Sequence, residues 1–328
     1  MKNFRKFPNL VLAVALLTAA TAADAHEKRQ ISIGPSSTSI PVSGVRIAKE
    51  LGLFDKHDID AKVIALDNAS VATTGLLSGS LDFAVINPTD VVITRSRGQN
   101  LVAVMSLYTE FPAVLVLSKT VADRLGVAAD APVPKRLQAL NGLVIATPSA
   151  TSSYTISLKS AAEAAGAKIS FVYMAQPAML AALEAGAIHG FVGSSPFYGV
   201  PVIAGKGVAW INGPQGEYPE KYALSNSIAL ITKEDFASRN RELVQDVVKV
   251  FEDLAAAIDQ RPDEVKSAVA RLFPDVDAKT LDVILKTEMT SFKARRFTTE
   301  HMTRAIDFLR LSGVALPNDL DPAAMVLR

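Results

Sequence analysis

The sequence predicts an α/β fold built as two similar lobes, and three observations carry that expectation. Short β-branched runs alternate with helical patterns from residue 30 onward, the same order of elements returns after residue 142, and two apolar extended runs, 111–118 and 225–232, stand where the chain would cross between the halves. Alternation of this kind builds largely parallel sheets flanked by helices. With 328 residues, 49% apolar and 20% charged, the chain has the material for a large core divided over two domains.

In the first half, 30–34 reads as a strand, and 42–51 as a helix with Val42, Val45, Ile47, Ala48 and Leu51 mostly on one face. A second strand follows over 61–66, a second helix over 68–78 and a third strand over 81–86. Pro88 and Thr89 can then open another helix, because proline suits the first helical position. The second half repeats this order, with strands at 142–146, 169–174 and 188–192 and helices at 152–166 and 177–185.

Two details make the return specific. Gly79-Ser80-Leu81-Asp82-Phe83-Ala84-Val85 matches Gly186-Ala187-Ile188-His189-Gly190-Phe191-Val192, a helix ending at glycine followed by a buried strand. Each half also begins with a strand running into Pro-Ser, at Pro35-Ser36 and Pro148-Ser149; the spacing from that proline to the glycine is 44 residues in one half and 38 in the other. The remainder, 233–328, reads as helical. An amphipathic stretch at 244–258 turns Val244, Val247, Val248, Phe251, Leu254 and Ala255 inward, and 281–285 and 302–311 mark two further helices.

The N-terminus has the design of a secretory leader. Lys2, Arg5 and Lys6 precede an eleven-residue apolar run at 10–20, which is shorter than the roughly 20 residues a membrane-spanning helix needs, and Ala23-Asp24-Ala25 fits a small-residue cleavage site. The expected division is therefore a signal peptide at 1–25, one discontinuous lobe at 26–110 and 220–328, and a second at 111–219. No later stretch offers 18 uninterrupted apolar residues, so part of the mean hydropathy of +0.24 comes from the leader. Without the leader, 31 basic and 32 acidic side chains remain, a balance that offers no basic face for nucleic acid. Cysteine is absent, which excludes disulfides, a lipid-modified N-terminal cysteine and thiolate catalysis.

Ligands bind parallel sheets beyond the carboxyl ends of the strands, where helix N-termini expose unpaired N–H groups. Those positions here are 35–39, 87–89, 147–154 and 194–197, rich in Ser, Thr and Asn and free of Lys, Arg, Asp and Glu. Each can be read as an ordinary helix cap. Together they predict a small anion or zwitterion held by hydroxyls and backbone N–H groups.

Catalytic constellations are hard to assemble from this sequence. His26, His57, His189 and His301 show no metal-ligand spacing, and no phosphate loop, G-x-S-x-G or dinucleotide fingerprint occurs, so neither metal nor cofactor is expected. His189 reads as a packed or rim residue, Asp82 as a residue that settles loop geometry, and Trp210 as packing. Tyr108 and Phe111 could wall a ligand or pack the core.

The stretch AKELGLFDKHDIDAKVIAL (48–66), followed by LLSGSLDFAVINP, resembles the N-terminal lobe of nitrate/sulfonate/taurine-type (NMT1/THI5-like) periplasmic binding proteins. LNGLVIATPSATSS and AMLAALEAGAIHGFVGSSP are similar to the second-lobe counterparts, so the resemblance spans the chain after the leader. It implies a two-lobed fold of the type II periplasmic binding class, each lobe a mostly parallel sheet flanked by helices, with a two-strand hinge. It also implies that the protein closes on a small ligand, a sulfonate, carboxylate or relative, and passes it to an ABC permease and its ATPase; a monomer without cofactor is expected. Carried over residue by residue, the family's ligand contacts fall on Ser36, Ser37, Ser39, Asn87, Thr89, Ser149, Ser152, Ser153, Ser194 and Ser195. The chain departs from the family at His189, where many relatives have Asp, and in having no Arg or Lys in the binding loops. Two alternatives remain at this point: an enzyme on the same scaffold, as in pyrimidine synthesis, and a sensory binding protein.

Overall fold

The computed structural model describes residues 28–327; the leader expected at 1–25 lies outside the described residues. Among the described residues, eleven strands run in chain order as β1 (Arg29–Pro35), β2 (Ile59–Val63), β3 (Phe83–Ile86), β4 (Leu101–Tyr108), β5 (Val114–Ser118), β6 (Val144–Thr147), β7 (Ser170–Tyr173), β8 (Gly190–Gly193), β9 (Gly207–Asn212), β10 (Ile228–Lys233) and β11 (Arg295–Arg296). They form two sheets, ordered β11-β4-β10-β3-β1-β2 and β7-β6-β8-β5-β9.

Leaving out β11, the two orders are the same, with β6, β7, β8 and β9 standing for β1, β2, β3 and β4. The remaining strand of each sheet arrives by a crossing: β5 follows directly from β4 of the first sheet, and β10 from β9 of the second. Both incoming strands run antiparallel to both neighbours, while β1 pairs in parallel with β2 and β3, and β6 with β7 and β8. Each sheet is thus parallel in most of its strands and reversed only where the chain enters, or at the short β11 edge.

Helices cover both faces of each sheet, so the central strands are apolar on both sides. Along β3, Phe83 and Val85 point into one cluster with the helices Gly44–Glu50 and Arg241–Gln260, while Ala84 and Ile86 point into another with Ala69–Ser78, Pro88–Arg95 and Thr299–Leu311. The same two-residue period sends Leu115 and Leu117 of β5 to one face of the second sheet and Val114 and Val116 to the other. Ile156, on the second-lobe helix Ser153–Ala164, packs into a first-lobe cluster and joins the lobes. The long helix Arg241–Gln260 buries Val244, Val247, Val248, Phe251 and Leu254 as its spacing predicted, while Ala255 is only half-buried.

The sequence reading did not identify β4 as a strand. All eight of its residues are buried, so it carries no polar alternation to mark it.

His189 and Asp82 do the same work. Ile33 pairs with Phe83 across β1 and β3, and Ile145 with Gly190 across β6 and β8; one residue earlier, Asp82 Oδ2 accepts from Ser32 N at 2.7 Å and His189 Nδ1 accepts from Val144 N at 2.8 Å. The histidine therefore holds its Nε2–H tautomer and stands in for the carboxylate as an acceptor for a strand N–H. The following position admits no side chain, since a Cβ on Gly190 would lie 2.5 Å from Val116 O. Replacing His189 with Asp is expected to retain wild-type stability in urea unfolding, while His189→Ala loses about 1 kcal/mol by leaving that N–H unpaired. Equal losses in the two variants would remove the equivalence.

Candidate functional site

One cavity lies between the two sheets, at the carboxyl ends of β1, β3 and β6, with a volume of about 80 Å³ and partly open to solvent. Its position follows from chain direction, because a parallel strand followed by a helix delivers that helix's N-terminus to the strand's carboxyl end.

The first-lobe wall starts with Ser36, Ser37 and Ser39 after β1. Ser36 N donates to Val85 O at 3.1 Å, and the Ser37 and Ser39 hydroxyls lie 2.9 Å apart. Asp67, Asn68 and Ala69 follow after β2, with Asn68 capping the helix Ala69–Ser78 by accepting from Val71 N at 3.1 Å. After β3, Asn87 caps the helix Pro88–Arg95: its Oδ1 accepts from Thr89 N at 3.1 Å and Thr89 Oγ1 at 2.8 Å, while its Nδ2 crosses the cleft to Ser153 Oγ at 2.8 Å. Asp90 closes the cap, accepting from Asn87 N at 3.2 Å, and also lines the cavity. Ser227, just before β10, is fully buried on the cavity wall, and its hydroxyl has no hydrogen-bond partner among the described residues.

The second-lobe wall is Pro148, Ser149, Ser152, Ser153, Tyr154 and Gln176. Ser152 caps the helix Ser153–Ala164 by accepting from Thr155 N at 3.3 Å, and Ser149 O accepts from Thr155 Oγ1 at 2.6 Å, which pins the loop. Burial pushes the Tyr154 phenol up, so it stays neutral.

Of the ten residues singled out from sequence, the structure places Ser36, Ser37, Ser39, Asn87, Ser149, Ser152 and Ser153 on this cavity. Thr89, Ser194 and Ser195 are fully buried and do not line it. Thr89 is spent on Asn87, and Ser194 gives both its N–H, at 2.7 Å, and its hydroxyl, at 3.2 Å, to Gln176 Oε1. Tyr108 and Phe111 also lie off the cavity, in aromatic contacts with Phe292 and with Tyr154 and Tyr218. Sequence reasoning missed Asp67, Asn68, Asp90, Gln176 and Ser227. The strand-end rule applied to β2 and β7 points at Asn68 and Gln176; nothing local marks Ser227, which is brought in by the second crossing.

Ser195 belongs to a seam between the lobes. Its carbonyl accepts from Ile40 N at 2.7 Å, and its hydroxyl donates at 2.6 Å to Oε2 of Glu288, at the end of the helix Ala278–Glu288. Tyr108 OH donates to the same oxygen at 3.2 Å and Tyr198 OH to Oε1 at 2.8 Å. Glu288 is fully buried, and desolvation raises its pKa against the pull of the three hydroxyls.

The comparisons with known proteins agree with this architecture. A profile of the NMT1-like family matches residues 24–273. The chain belongs to the NMT1-like family. Among curated proteins no sequence matches it. Solved structures do: a protein from Bordetella bronchiseptica RB50 superposes with a TM-score of 0.76 at 18% identity, over 91% of this chain and 94% of that one. The alkanesulfonate-binding protein SsuA from Xanthomonas axonopodis pv. citri, bound to MOPS, gives 0.74 at 16% identity, over 93% and 100%. The periplasmic nitrate-binding protein NrtA from Synechocystis PCC 6803 gives 0.72 at 16% identity, over 91% and 85%. This NMT1-like chain shares their two-lobed α/β fold.

Among the described residues, the NMT1-like protein has no group of three His, Asp or Glu side chains arranged to hold a metal, and no helix long and apolar enough to cross a membrane. Its cavity contains no Lys, Arg or His, while Asp67 and Asp90 revise the expectation of an uncharged wall. Burial pushes Asp90 up to about 7 from an ordinary 3.8, with the Asn87 N–H pulling back.

Two outcomes are expected. An acid whose pKa rises on folding favours the folded state while protonated, so the contribution of Asp90 is full below pH ~4 and is lost as pH rises to about 7. Without ligand, the stability of wild type relative to Asp90→Asn should therefore fall across that window in denaturant titrations; a rising difference would contradict the burial. Glu288→Ala removes the acceptor of three hydroxyls, two of them buried, and should cost about 3 kcal/mol, measured the same way.

Proposed function

We propose that this protein is the periplasmic solute-binding component of an ABC importer, capturing a small anionic or zwitterionic organic ligand between its lobes and presenting it to a permease with its ATPase. The observation that carries the proposal is the cavity itself, walled from both lobes by seven serines, two asparagines and a glutamine. A site of this kind binds and orients; its hydroxyls and capped helix ends offer many weak donors and no base paired with a nucleophile. The buried, unpartnered Ser227 hydroxyl supports the reading, since such groups ordinarily have a partner and a bound ligand would supply one. Membership of the NMT1-like family and likeness to proteins described as sulfonate- and nitrate-binding support the same class.

On this reading the leader at 1–25 directs export, the mature protein is a monomer, and the lobes 26–110 with 220–328 and 111–219 rotate about the two crossings. Ligand stabilises the closed form through contacts that only the closed form makes, so both walls must contribute. The proposed contacts are Ser36, Ser37, Ser39, Asn68, Asn87, Ser149, Ser152, Ser153, Gln176 and Ser227; Thr89, Ser194 and Ser195 act behind the wall.

A thermal-shift screen of small anions and zwitterions should find a ligand that raises the melting temperature, and small-angle scattering should show the molecule contracting with it. Ser36→Ala in one wall and Ser149→Ala in the other should each weaken binding about 2- to 10-fold in calorimetry. Sensitivity confined to one wall would defeat capture between lobes.

A further inference from the structure

Away from the cavity, the lobes also meet in a seam, and one side chain gathers most of its polar contacts. Glu288 ends the helix Ala278–Glu288, whose Leu281, Ile284 and Leu285 pack in the core of the first sheet. Two of the hydroxyls that donate to its carboxylate, on Ser195 and Tyr198, come from the segment after β8 of the second sheet. The third belongs to Tyr108, the last residue of β4 in the first sheet. Ile40 N, from the first lobe, donates to Ser195 O at 2.7 Å. Beside these bonds the packing is close: a Cβ on Gly199, which opens the helix Gly199–Ile203, would lie 2.7 Å from Ile284 Cδ1. Neither Glu288 nor Tyr198 lines the cavity.

We infer that Glu288 is a positioning residue for lobe closure, a first-lobe carboxylate that latches Ser195 and Tyr198 of the second lobe and so sets the balance between closed and open forms. The inference rests on the lobe rotation contained in the solute-binding reading and adds the group that holds its end point. Rotation about the crossings carries Ser195, Tyr198 and Gly199 away from Glu288 and Ile284. It leaves Tyr108 with Glu288, because both belong to the first lobe. A carboxylate suits such a contact. It stays buried only while donors surround it, and water replaces the two departing hydroxyls when the seam parts, so the contact is specific yet easily reversed. An apolar seam of the same area would find no such substitute and would resist opening. Ser195 also follows Ser194, whose N–H and hydroxyl are held by Gln176 on the cavity wall, so one segment of the second lobe carries both seam and cavity contacts.

Hydroxyl deletions on the two sides of the seam provide the test, read as an interlobe distance without any ligand. The chain has no cysteine, so Leu77→Cys in the first lobe and Glu163→Cys in the second, both at exposed positions, take nitroxide labels only there. Double electron–electron resonance then gives the closed and open populations, with circular dichroism checking that each variant is folded. Ser195→Ala and Tyr198→Phe should each lower the closed-to-open ratio about 10-fold, and Gly199→Val, which wedges the seam, should lower it as far. Tyr108→Phe removes a hydroxyl from the same carboxylate but within one lobe, so its ratio should stay within about 2-fold of wild type. Ratios unchanged in Ser195→Ala and Tyr198→Phe, or lowered equally by Tyr108→Phe, overturn the latch, as does a wild type with no closed population. Because no ligand takes part, those results leave solute capture standing, and a failed ligand screen bears on capture alone.

Discussion

The geometry of this molecule depends on strand direction. In each sheet three parallel strands carry their helices on the return path, so the helix N-termini and the residues that cap them gather at the carboxyl edge. The two crossings then insert β5 and β10 antiparallel beside the third parallel strand of each sheet, which repeats one strand order in both lobes. Asn68, Asn87 and Ser152 reach the cavity because they cap helices that start there, and the Asn87–Ser153 bond shows how closely the two edges meet.

Two carboxylates, one buried and one half-buried, serve this arrangement differently. Glu288 sits in the seam between lobes, with three hydroxyls donating to its two oxygens, so its hydrogen-bonding capacity is largely met by Ser195, Tyr108 and Tyr198. Asp90 sits on the cavity wall with a single backbone N–H. Desolvation raises both. The distinction separates structural polarity, closed on itself behind the wall, from polarity that faces the cavity.

Much of this was legible in the residues. The repeated Gly-to-strand motif placed β3 and β8 and, with the Pro-Ser turns, put Ser36, Ser37, Asn87, Ser149 and Ser153 at strand ends. The strand-end rule is local, so it selects a loop without saying which way each side chain in it points. That is why Ser194 and Ser195 were indistinguishable in sequence from Ser152 and Ser153: all four are serines that follow a buried strand and precede a helix. Their fates diverge through Gln176 and Glu288, the latter 93 residues from Ser195. The eight-residue strand β4 escaped detection because a strand covered on both faces has no polar period to read.

The sequence by itself determined the alternation of strands and helices, the doubling of one pattern into two lobes, and the chemical character of the cleft loops, since these depend on periodicity, turn residues and caps within a few positions of one another. Only the tertiary structure decided which hydroxyls face the cavity, that His189 replaces a carboxylate as a strand acceptor, and that Asp67 and Asp90 stand on the wall. Those outcomes depend on contacts between residues far apart in the chain, where packing and desolvation, rather than local propensity, choose the partner.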